Sequence, residues 1–487
     1  MLNKFRPKTA MLSKEMVEKV IEEALKILET VGVYVANEDA KSLLKRQGCR
    51  GEERLYIPRN LVKECLKTTP TSIRMYTREG REALALEKDN VYFNPGSSAL
   101  QYLDYDKLEV RKPVTRDAVD FARITAHMEH IKAQSTAMVC EDVPTEILDS
   151  YRLYLALLHC NKPVVTGIFR KDSLLFMFEL LEAIRGGKEV LRDRPLAIFD
   201  ACPSPPLKWD ELTAQSLIEC ARRGVPSEIV SMPLAGATAP VTLLGAVVQH
   251  TAECLSGIVI GQVAGPGAPM IWGGCPAAFD MRTGTTPIGA IETMMIDVAY
   301  SQIGKYLHLP THTYMGSSDA KLLDFQSGFE SGIGIIIAAL AGINVVSSPG
   351  MLNFENCQSV EKLILDNEIC GMAYRLIEGI SQRNDPIALD LFKSLQNIEN
   401  GFIASEHTFQ WFRKEQHIPG GVVDRHVGDL GSVSGRSSAA DRAHQMAKAL
   451  LTKGDPSPMQ ETLKKELARM MEREAKQYGM VRLPQYS

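Results

Sequence analysis

The sequence predicts an α/β protein with a parallel barrel at its core. Seven short apolar runs rich in β-branched residues alternate with helical stretches, and their starts lie about 30 to 40 residues apart, which leaves room for a crossover helix each time. The runs lack strict alternation of apolar and polar residues, as is typical of strands buried on both faces. No Gly-x-Gly-x-x-Gly or Walker loop follows any run, so a TIM (β/α)8 barrel is favoured over an open nucleotide-binding sheet, although an eighth strand is not evident.

The first part of the chain has a different pattern from the rest. Ser13 is a suitable N-cap for a helix that ends near Gly32, and further helices are predicted over Glu38–Arg46 and Pro58–Leu66. Short strands and turns follow. We therefore expect residues 1–115 to form an N-terminal helical layer with a β appendage, packed on the barrel.

The barrel core is assigned to residues 116–400. Its seven predicted strands are Thr136–Cys140, Val164–Ile168, Leu196–Asp200, Glu228–Met232, Pro269–Trp272, Pro310–Tyr314 and Ile343–Val346. Residues 401–487 are expected to form a C-terminal helical extension, with amphipathic helices over Arg436–Leu451 and Met459–Tyr478.

Composition excludes several classes of protein. The 487 residues carry a formal net charge of −4, with 55 Lys and Arg against 59 Asp and Glu, so no basic field is available to attract nucleic acid. With 45% hydrophobic and 23% charged residues, the chain is not collagenous, disordered or a disulfide miniprotein.

Cysteine usage and apolar runs bear on the compartment. None of the ten cysteines belongs to a Cys-x-x-Cys pair, which argues against a zinc ribbon and suits a reducing cytoplasm. Met1–Pro7 lacks the apolar run of a signal peptide. Ile333–Val346, taken as the longest apolar stretch, is shorter than the about 20 residues that a membrane span needs. We expect a cytoplasmic location and no membrane partner.

The segments that follow the predicted strands share a composition rich in Gly, Pro, Ser and Thr. Each alone is explained by turn chemistry, but loops at the carboxyl ends of barrel strands are where barrel enzymes place their sites. Their common character favours one shared site. The six segments are Glu141–Pro144, Cys202–Leu207, Pro233–Thr238, Gly273–Pro276, Gly316–Asp319 and Ser348–Met351.

The usual catalytic motifs are missing from the sequence. It contains neither His-Glu-x-x-His nor Gly-x-Ser-x-Gly. His250 and Glu253 are one helical turn apart, which suits a packed polar pair, a proton relay or half of a metal site. His312 lies near the end of a predicted strand and is a better site candidate by position. Without carboxylates or cysteines at metal-ligand spacing, we expect no bound metal.

Aromatic residues form two groups that could receive a cation. Tyr92, Phe93, Tyr102 and Tyr105 fall within one short β segment, and the second group lies at or after strand ends. Aromatic faces attract quaternary ammonium groups by about 0.5–2 kcal/mol per ring. Core packing is the alternative explanation for these rings. The second group is Trp272, Phe279, Tyr314, Phe325, Phe329 and Phe354.

Several motifs in sequence order resemble a known family. They are Glu29–Val33, Cys202–Leu207, Met232–Thr242, Asp280–Gly284, Asp319–Lys321 with Asp324–Glu330, and Gly350–Leu352. Together they resemble the trimethylamine methyltransferase family, and within it the members that lack pyrrolysine, such as the glycine betaine:corrinoid methyltransferases. The resemblance spans nearly the whole chain.

The resemblance implies TIM-barrel enzymes that move a methyl group from a methylated amine to the cobalt of a corrinoid held by a separate protein. Trimethylamine enzymes carry pyrrolysine near the segment that matches Tyr314–Gln326, whereas this chain has standard residues there. This difference favours a substrate that is already quaternary, with glycine betaine ahead of proline betaine and carnitine. Its leaving group is a neutral tertiary amine, so no general acid is needed, and the enzyme's task is to position and desolvate the cation.

On these grounds we expect no acid–base catalytic residue, a corrinoid-protein partner and a homo-oligomer. A non-catalytic betaine-binding paralogue and an unrelated metal-dependent barrel enzyme are the alternatives. Asp424–Gly428 approaches the Asp-x-His-x-x-Gly pattern of cobalamin binding, but its Gly is one place early, so we interpret the match as coincidence. Arg282 and loop N–H groups are candidates for holding a substrate carboxylate. The expected substrate-binding residues are Tyr92, Phe93, Tyr102, Cys202, Glu253, His312, Tyr314, Gln326 and Phe354, and the expected corrinoid-facing residues are Gly236, Thr238, Gly274, Gly316, Asp319 and Gly350.

Overall fold

The computed structural model describes residues 5–394, 401–426 and 437–486. The N-terminal part contains α1 (Lys14–Thr30), β1 (Val33–Val35), α2 (Glu38–Arg46), β2 (Arg54–Leu55), α3 (Arg59–Thr68), β3 (Ile73–Tyr76), β4 (Glu82–Leu86), β5 (Tyr92–Phe93), β6 (Gln101–Asp104) and β7 (Glu109–Arg111). The three helices predicted there are confirmed, and Ser13 caps α1 by accepting a hydrogen bond from the Met16 N–H.

The middle of the chain alternates strands and helices. Its elements are α4 (Thr115–His127), β8 (Gln134–Ser135), a 3-10 turn (Thr145–Ile147), α5 (Leu148–His159), β9 (Val164–Thr166), α6 (Lys171–Arg185), α7 (Lys188–Asp193), β10 (Ala197–Ala201), β11 (Lys208–Trp209), α8 (Glu211–Arg223), β12 (Ser227–Ser231), β13 (Leu234–Ala235), α9 (Leu243–Ala264), β14 (Met270–Gly274), β15 (Ala277–Ala278), α10 (Ile291–Tyr306), β16 (His312–Thr313), α11 (Phe325–Ala341), β17 (Val345–Val346), β18 (Met351–Leu352), β19 (Cys357–Gln358) and α12 (Val360–Glu378). The C-terminal part adds α13 (Leu389–Ser394), α14 (Glu406–Glu415), α15 (Ala439–Leu451) and α16 (Glu461–Gln477).

Eight parallel strands follow one another around a ring. β8, β9, β10, β12 and β14 form one parallel sheet, and β16, β17 and β5 form another. Parallel bridges join the two sheets at both edges, from Trp272 to Thr311 and from Phe93 to Ile131. The predicted TIM-type barrel is therefore confirmed as the fold.

The strand that was not evident from the sequence is β5. Tyr92 pairs with Val345 and Phe93 with Val346, so a strand from the first 115 residues completes the ring. Two residues are too few to show a periodic pattern. The first predicted strand, Thr136–Cys140, is wrong, because β8 consists of Gln134 and Ser135 and ends before the predicted run begins.

A β-hairpin covers one end of the barrel. β3 and β4 pair antiparallel, and their apolar side chains form one cluster with residues from the N-terminal ends of the ring strands. The backbone N–H of Ala85 also donates to Tyr92 Oη at 3.1 Å. The hairpin thus seals the N-terminal end of the ring. The cluster contains Ile73, Met75, Leu84 and Leu86 from the hairpin with Ala133, Val165, Ile198, Ile271 and Val345 from the ring.

Helix α9 is apolar on all sides because other helices surround it. Among the described residues it is long and apolar enough to cross a membrane, yet 83% of its apolar window is buried inside the protein. It packs against α1, α2 and α3 on one side and against α8 and α10 on the other. The N-terminal helices therefore form an outer layer over this part of the barrel, while α15 packs on α12 and α4, and α16 on α5 and α6.

Candidate active site at the mouth of the barrel

Two carboxylates face each other above the apolar layer of the barrel. Asp200 follows Ile198 by two residues and so points to the same inner face of β10. It is in register with Glu228 of the adjacent strand β12. Both acids therefore lie inside the barrel, on the side away from the hairpin.

Glu228 is an acid without a compensating partner. Its side chain is fully buried, and neither carboxylate oxygen accepts a hydrogen bond; Asp200 Oδ1 also accepts none. Burial raises the pKa of Asp200 to about 6, and burial together with the charge of Asp200 raises the pKa of Glu228 well above its usual range. Two acids in this arrangement share one proton near neutral pH, which lets one donate a hydrogen bond to the other.

His312 of β16 lies beside the acid pair. Its Nε2 is 3.4 Å from Glu228 Oε1 and 3.0 Å from Ser347 Oγ, and Ser347 Oγ donates to Asn94 Oδ1 at 3.0 Å. Burial lowers the pKa of His312 to about 3, so the imidazole is neutral. Because the Ser347 proton is used on Asn94, His312 Nε2–H is the donor toward Ser347. Gly273 gives the ring its space, since a Cβ there would lie 2.9 Å from His312 Nδ1.

Tyr314 contacts Asp200 through its hydroxyl. Its hydroxyl donates to Asp200 Oδ2 at 3.4 Å, and its ring meets the His312 ring edge-on with centroids 4.7 Å apart. Burial raises the pKa of its hydroxyl well above the usual range, and the negative charges of Asp200, Glu228 and Glu355 raise this pKa further. Tyr314 thus brings an aromatic ring next to the carboxylates.

Glu355 adds a third acid at the mouth. Ser348 Oγ donates to Glu355 Oε1, and burial, reinforced by the charges of Asp319 and Asp200, raises the pKa of Glu355 to about 8. Glu355 and the other residues at the mouth are partly exposed, whereas Glu228 and His312, which lie deeper in the barrel, are fully buried. The mouth is therefore open above a closed floor. The partly exposed residues are Asp200, Cys202, Cys275, Tyr314, Phe354 and Glu355.

Several residues predicted to bind substrate lie elsewhere. Tyr92 contacts the hairpin at the opposite end of the barrel, and the ring of Phe93 packs edge-on against Tyr374 at 5.2 Å. Tyr102 lies under the guanidinium of Arg111, 5.1 Å from the ring centroid. The structure does not bring these three rings to the acid pair.

Glu253 and Gln326 are engaged in other contacts. The Glu253 carboxylate accepts from the Leu207 N–H at 2.9 Å, from Ser231 Oγ at 2.6 Å and from Gln249 Nε2 at 3.0 Å. It therefore ties the loop after β10 to β12 and α9, as a packed polar group. Gln326 is exposed and donates to Glu330 Oε1 at 2.8 Å.

The remaining predicted residues lie at the mouth. Cys202 feels the charges of Asp200 and Glu228, which with burial raise its pKa well above the usual range. Phe354 lies beside Glu355, with Lys321 Nζ 4.4 Å from its ring centroid. Cys202, His312 and Tyr314 therefore lie near the acid pair. Their role in substrate binding stays a prediction.

The residues expected to face a corrinoid divide into two kinds. Gly274, Gly316, Gly350 and Asp319 are buried, and Asp319 accepts from the N–H groups of Ile288 and Gly289 at 3.1 and 2.9 Å. These four hold the loops in place. Gly236 and Thr238 are only partly buried and lie in the loop between β13 and α9.

Asp200, Glu228 and Glu355 were not among the site residues predicted from the sequence. Two of them stood at the ends of predicted strands, Leu196–Asp200 and Glu228–Met232. An acid inside an apolar strand run is a usable signal, because buried charges are expensive and so tend to mark functional positions. Glu355 lies in a loop after a strand, outside any apolar run, so its sequence position did not mark it as a buried acid.

Comparisons with known proteins define the family. The model of the trimethylamine methyltransferase (MTTB) family matches residues 1–479. The chain is 27% identical to trimethylamine methyltransferase MttB of Desulfitobacterium hafniense over 461 residues, covering 94% of this chain and 92% of the relative. It is 28% identical to glycine betaine methyltransferase of the same species over 476 residues, covering 97% and 98%. The chain belongs to the trimethylamine methyltransferase family.

A solved structure shares the fold. Monomethylamine methyltransferase (MtmB) of Methanosarcina barkeri superposes with a TM-score of 0.52 at 11% identity, covering 97% of this chain and 89% of that one. At this identity the likeness concerns the fold alone. Within residues 5–394, 401–426 and 437–486, no three His, Cys, Asp or Glu side chains are grouped as metal ligands. The near-match Asp424–Gly428 falls partly outside the described residues.

Proposed function

We propose that this methyltransferase moves a methyl group from a quaternary amine to the Co(I) of a corrinoid carried by a partner protein. The observation that supports the proposal is the acid pair Asp200–Glu228 at the mouth, in which Glu228 is fully buried and neither its oxygens nor Asp200 Oδ1 accept a hydrogen bond from another group. Family membership supports methyl transfer, and the relatives include a glycine betaine methyltransferase.

A quaternary ammonium suits this pair better than a hydrogen-bonding ligand does. Buried carboxylates without a countercharge are unfavourable, so a bound cation relieves their desolvation. A quaternary nitrogen has no N–H to donate, and it is held by charge and by aromatic faces instead. Tyr314 supplies such a face within reach of Asp200, and neutral His312 adds no opposing charge.

The residues of the mouth then act by orientation and exclusion of water. The C–N bond breaks and the electron pair leaves with a neutral tertiary amine, while the methyl carbon bonds to the Co(I) of the acceptor. No proton moves to or from the substrate in this step, which agrees with a site whose histidine is neutral. The fixed carboxylates hold the nitrogen in place while a methyl group points outward.

The corrinoid partner would approach the carboxyl ends of the strands, because the hairpin β3–β4 covers the other end. Apolar side chains are exposed on the loops there, including Met232, Val241 and Met281, which are 36%, 66% and 65% exposed. Apolar exposed groups around a concave site are typical of a docking rim. A homo-oligomer and a cytoplasmic location remain part of the proposal.

The test is methyl transfer by the purified full chain to cob(I)alamin, followed by the absorbance of methylcobalamin. The donors are glycine betaine, proline betaine, carnitine, choline and tetramethylammonium, which share the quaternary head. We expect at least one to react, and Asp200→Asn with Glu228→Gln to abolish transfer. Binding of a donor by calorimetry without any transfer would instead identify a non-catalytic paralogue. Failure of all five donors both to react and to bind would overturn the proposal.

A further inference from the structure

We infer that the outer face of helices α10, α11 and α12 is the surface through which two copies of this chain associate. The inference rests on the homo-oligomer included in the proposed function and deepens it by naming the contact. It does not depend on the methyl-transfer reaction.

Three neighbouring helices carry exposed apolar side chains in stripes. Within each helix these residues are four positions apart, which places them on one face. α11 packs against both α10 and α12, so the three stripes are neighbours on the surface. We call the eight residues the lateral face: Ile291 and Met295 on α10, Phe325, Phe329 and Ile333 on α11, and Met372, Leu376 and Ile380 on and just after α12.

Charged side chains are nearly absent from the exposed surface of these helices. α11 contains one charged residue, Glu330, and it is buried. The exposed charged residues of the three helices are Glu292, at the start of α10, and Glu378, at the end of α12. Depletion of charge is characteristic of the buried centre of a protein–protein interface rather than of a surface that stays in water.

The exposed apolar area is large enough for a stable contact. Phe325 and Ile380 are 85% and 86% exposed, and the other six residues of the lateral face are 37–50% exposed. Together they expose on the order of 800 Å², taking about 200 Å² for a fully exposed large apolar residue. A standard interface buries about 800 Å² on each partner, whereas the largest apolar patch of a typical monomer measures about 300–600 Å².

A second copy fits the lateral face better than the methyl acceptor does. The acceptor must leave after each transfer, and permanent interfaces are more apolar than those that form and dissociate. The face also extends away from the mouth: Tyr374 of α12 donates to the carbonyl of Val91, just before β5, at 3.2 Å. The second half of α12 therefore lies toward the end of the barrel that the hairpin covers. In a two-fold symmetric dimer, this patch would meet its own copy.

The first experiment measures the mass of the purified full chain by analytical ultracentrifugation at about 10 µM. We expect the wild type to have at least twice the mass of one chain. Ile333→Asp combined with Leu376→Asp should weaken self-association at least about 100-fold, because the contact would bury two uncompensated carboxylates on each copy. A monomeric wild type would overturn the inference, and so would a double variant that keeps the wild-type mass.

The matched control is Leu175→Asp on α6. Leu175 is also an exposed apolar residue on a barrel helix, but α6 packs against α5, α7, α8 and α16 rather than against the three helices of the lateral face. We expect Leu175→Asp to keep the wild-type mass. If it dissociates as far as the double variant does, the effect does not belong to the lateral face and the inference is wrong.

A second measurement uses the wild-type chain, so its result does not depend on whether a variant folds. Met372 on the lateral face, Met232 at the mouth and Met16 on α1 are 37%, 36% and 39% exposed in the single chain. If a second copy covers the lateral face, hydrogen peroxide should oxidise Met372 to the sulfoxide at least about fivefold more slowly than the other two. Peptide mass spectrometry measures the three rates, and equal rates would contradict the contact.

The outcomes separate this contact from the proposed methyl transfer. We expect the dissociated double variant to retain methyl transfer to cob(I)alamin, because Ile333 and Leu376 lie outside the mouth. A wild type that transfers methyl groups as a monomer would overturn the contact alone, and an oligomeric wild type without transfer would overturn the enzymatic proposal alone. A monomer whose lateral face binds only the corrinoid protein would make the acceptor the occupant and exclude a second copy.

Discussion

Glu228 and Glu253 are two buried glutamates in one region of the barrel that differ in their hydrogen bonds. Glu253 accepts three hydrogen bonds, from Leu207, Ser231 and Gln249. Glu228 accepts none and faces another acid. Burial raises the pKa of both groups, but the three donors offset part of the cost of burying the Glu253 carboxylate, whereas no such donors offset it at Glu228.

We therefore predict opposite changes from the same substitution. Glu253→Gln should lower the free energy of unfolding by about 1–3 kcal/mol, because an amide replaces an acceptor of three donors. Glu228→Gln should raise it by about 1 kcal/mol while tetramethylammonium binding is lost. Chemical denaturation near pH 7.5 measures both. If Glu228→Gln lowers the free energy of unfolding as much as Glu253→Gln does, burial of the Glu228 carboxylate does not destabilise the fold.

The acid pair also predicts how affinity depends on pH. A bound cation favours the ionised acids, so affinity should rise as Asp200 loses its proton around its pKa of about 6. We expect about a tenfold gain for tetramethylammonium between pH 5 and pH 7, and a further gain toward pH 8 from Glu355, whose pKa is about 8. His312 stays neutral across this range.

Folding stability should change in the opposite direction over this range. A carboxyl group whose pKa is raised by folding binds more protons in the folded state, so its contribution to stability falls as pH rises through that pKa.

Calorimetry at several pH values checks the affinity, with Asp200→Asn expected to lack the step near pH 6. A flat affinity from pH 5 to pH 7 would contradict a role for the pair.

At the scale of elements, the turn between β18 and β19 places groups at the mouth. Asn353, Phe354 and Glu355 all have positive φ, at 52°, 56° and 63°. Three such residues in a row are unusual outside glycine, and each costs roughly 1 kcal/mol or more. Contacts around Asn353 hold the turn: its N–H donates to the Ala320 carbonyl at 2.9 Å, and its Nδ2 donates to Gln101 Oε1 at 3.1 Å.

Substitutions at Asn353 test whether this turn is strained. Asn353→Gly keeps the left-handed conformation without a steric cost and loses only the bond to Gln101. Asn353→Ala loses the bond and adds backbone strain. We therefore expect its free energy of unfolding to be about 1 kcal/mol lower than that of Asn353→Gly. Both should weaken tetramethylammonium binding by displacing Glu355. Equal stability of the two variants would show that the turn does not depend on this conformation.

At the scale of the whole molecule, the barrel could be predicted because its units repeat. Six of the seven predicted runs overlap strands of the ring, whereas the first, Thr136–Cys140, lies directly after β8. Tyr92 and Phe93 were assigned to a β segment, but their place in the ring could not be predicted, because they pair with Val345 and Val346, about 250 positions away. Such a strand is defined by its partners rather than by its own pattern.

The site was only partly predictable for a related reason. His312 and Tyr314 were proposed from their position at a strand end, and both lie beside Asp200 and Glu228. Glu253 was grouped with them because the sequence cannot show that three donors already satisfy it. The difference between Glu228 and Glu253 depends on tertiary hydrogen bonds, which one chain without its fold does not reveal.

Because the β3–β4 hairpin covers the N-terminal end of the barrel, the carboxyl ends of the strands are the route into the barrel in the part of the chain that the structure describes. Under the proposed function, the donor must enter before the methyl acceptor covers this route. The tertiary amine product then stays in the barrel until the acceptor protein dissociates. Each binding of the partner then allows one methyl transfer. We expect dissociation of the methylated partner, rather than cleavage of the C–N bond, to limit the rate of turnover.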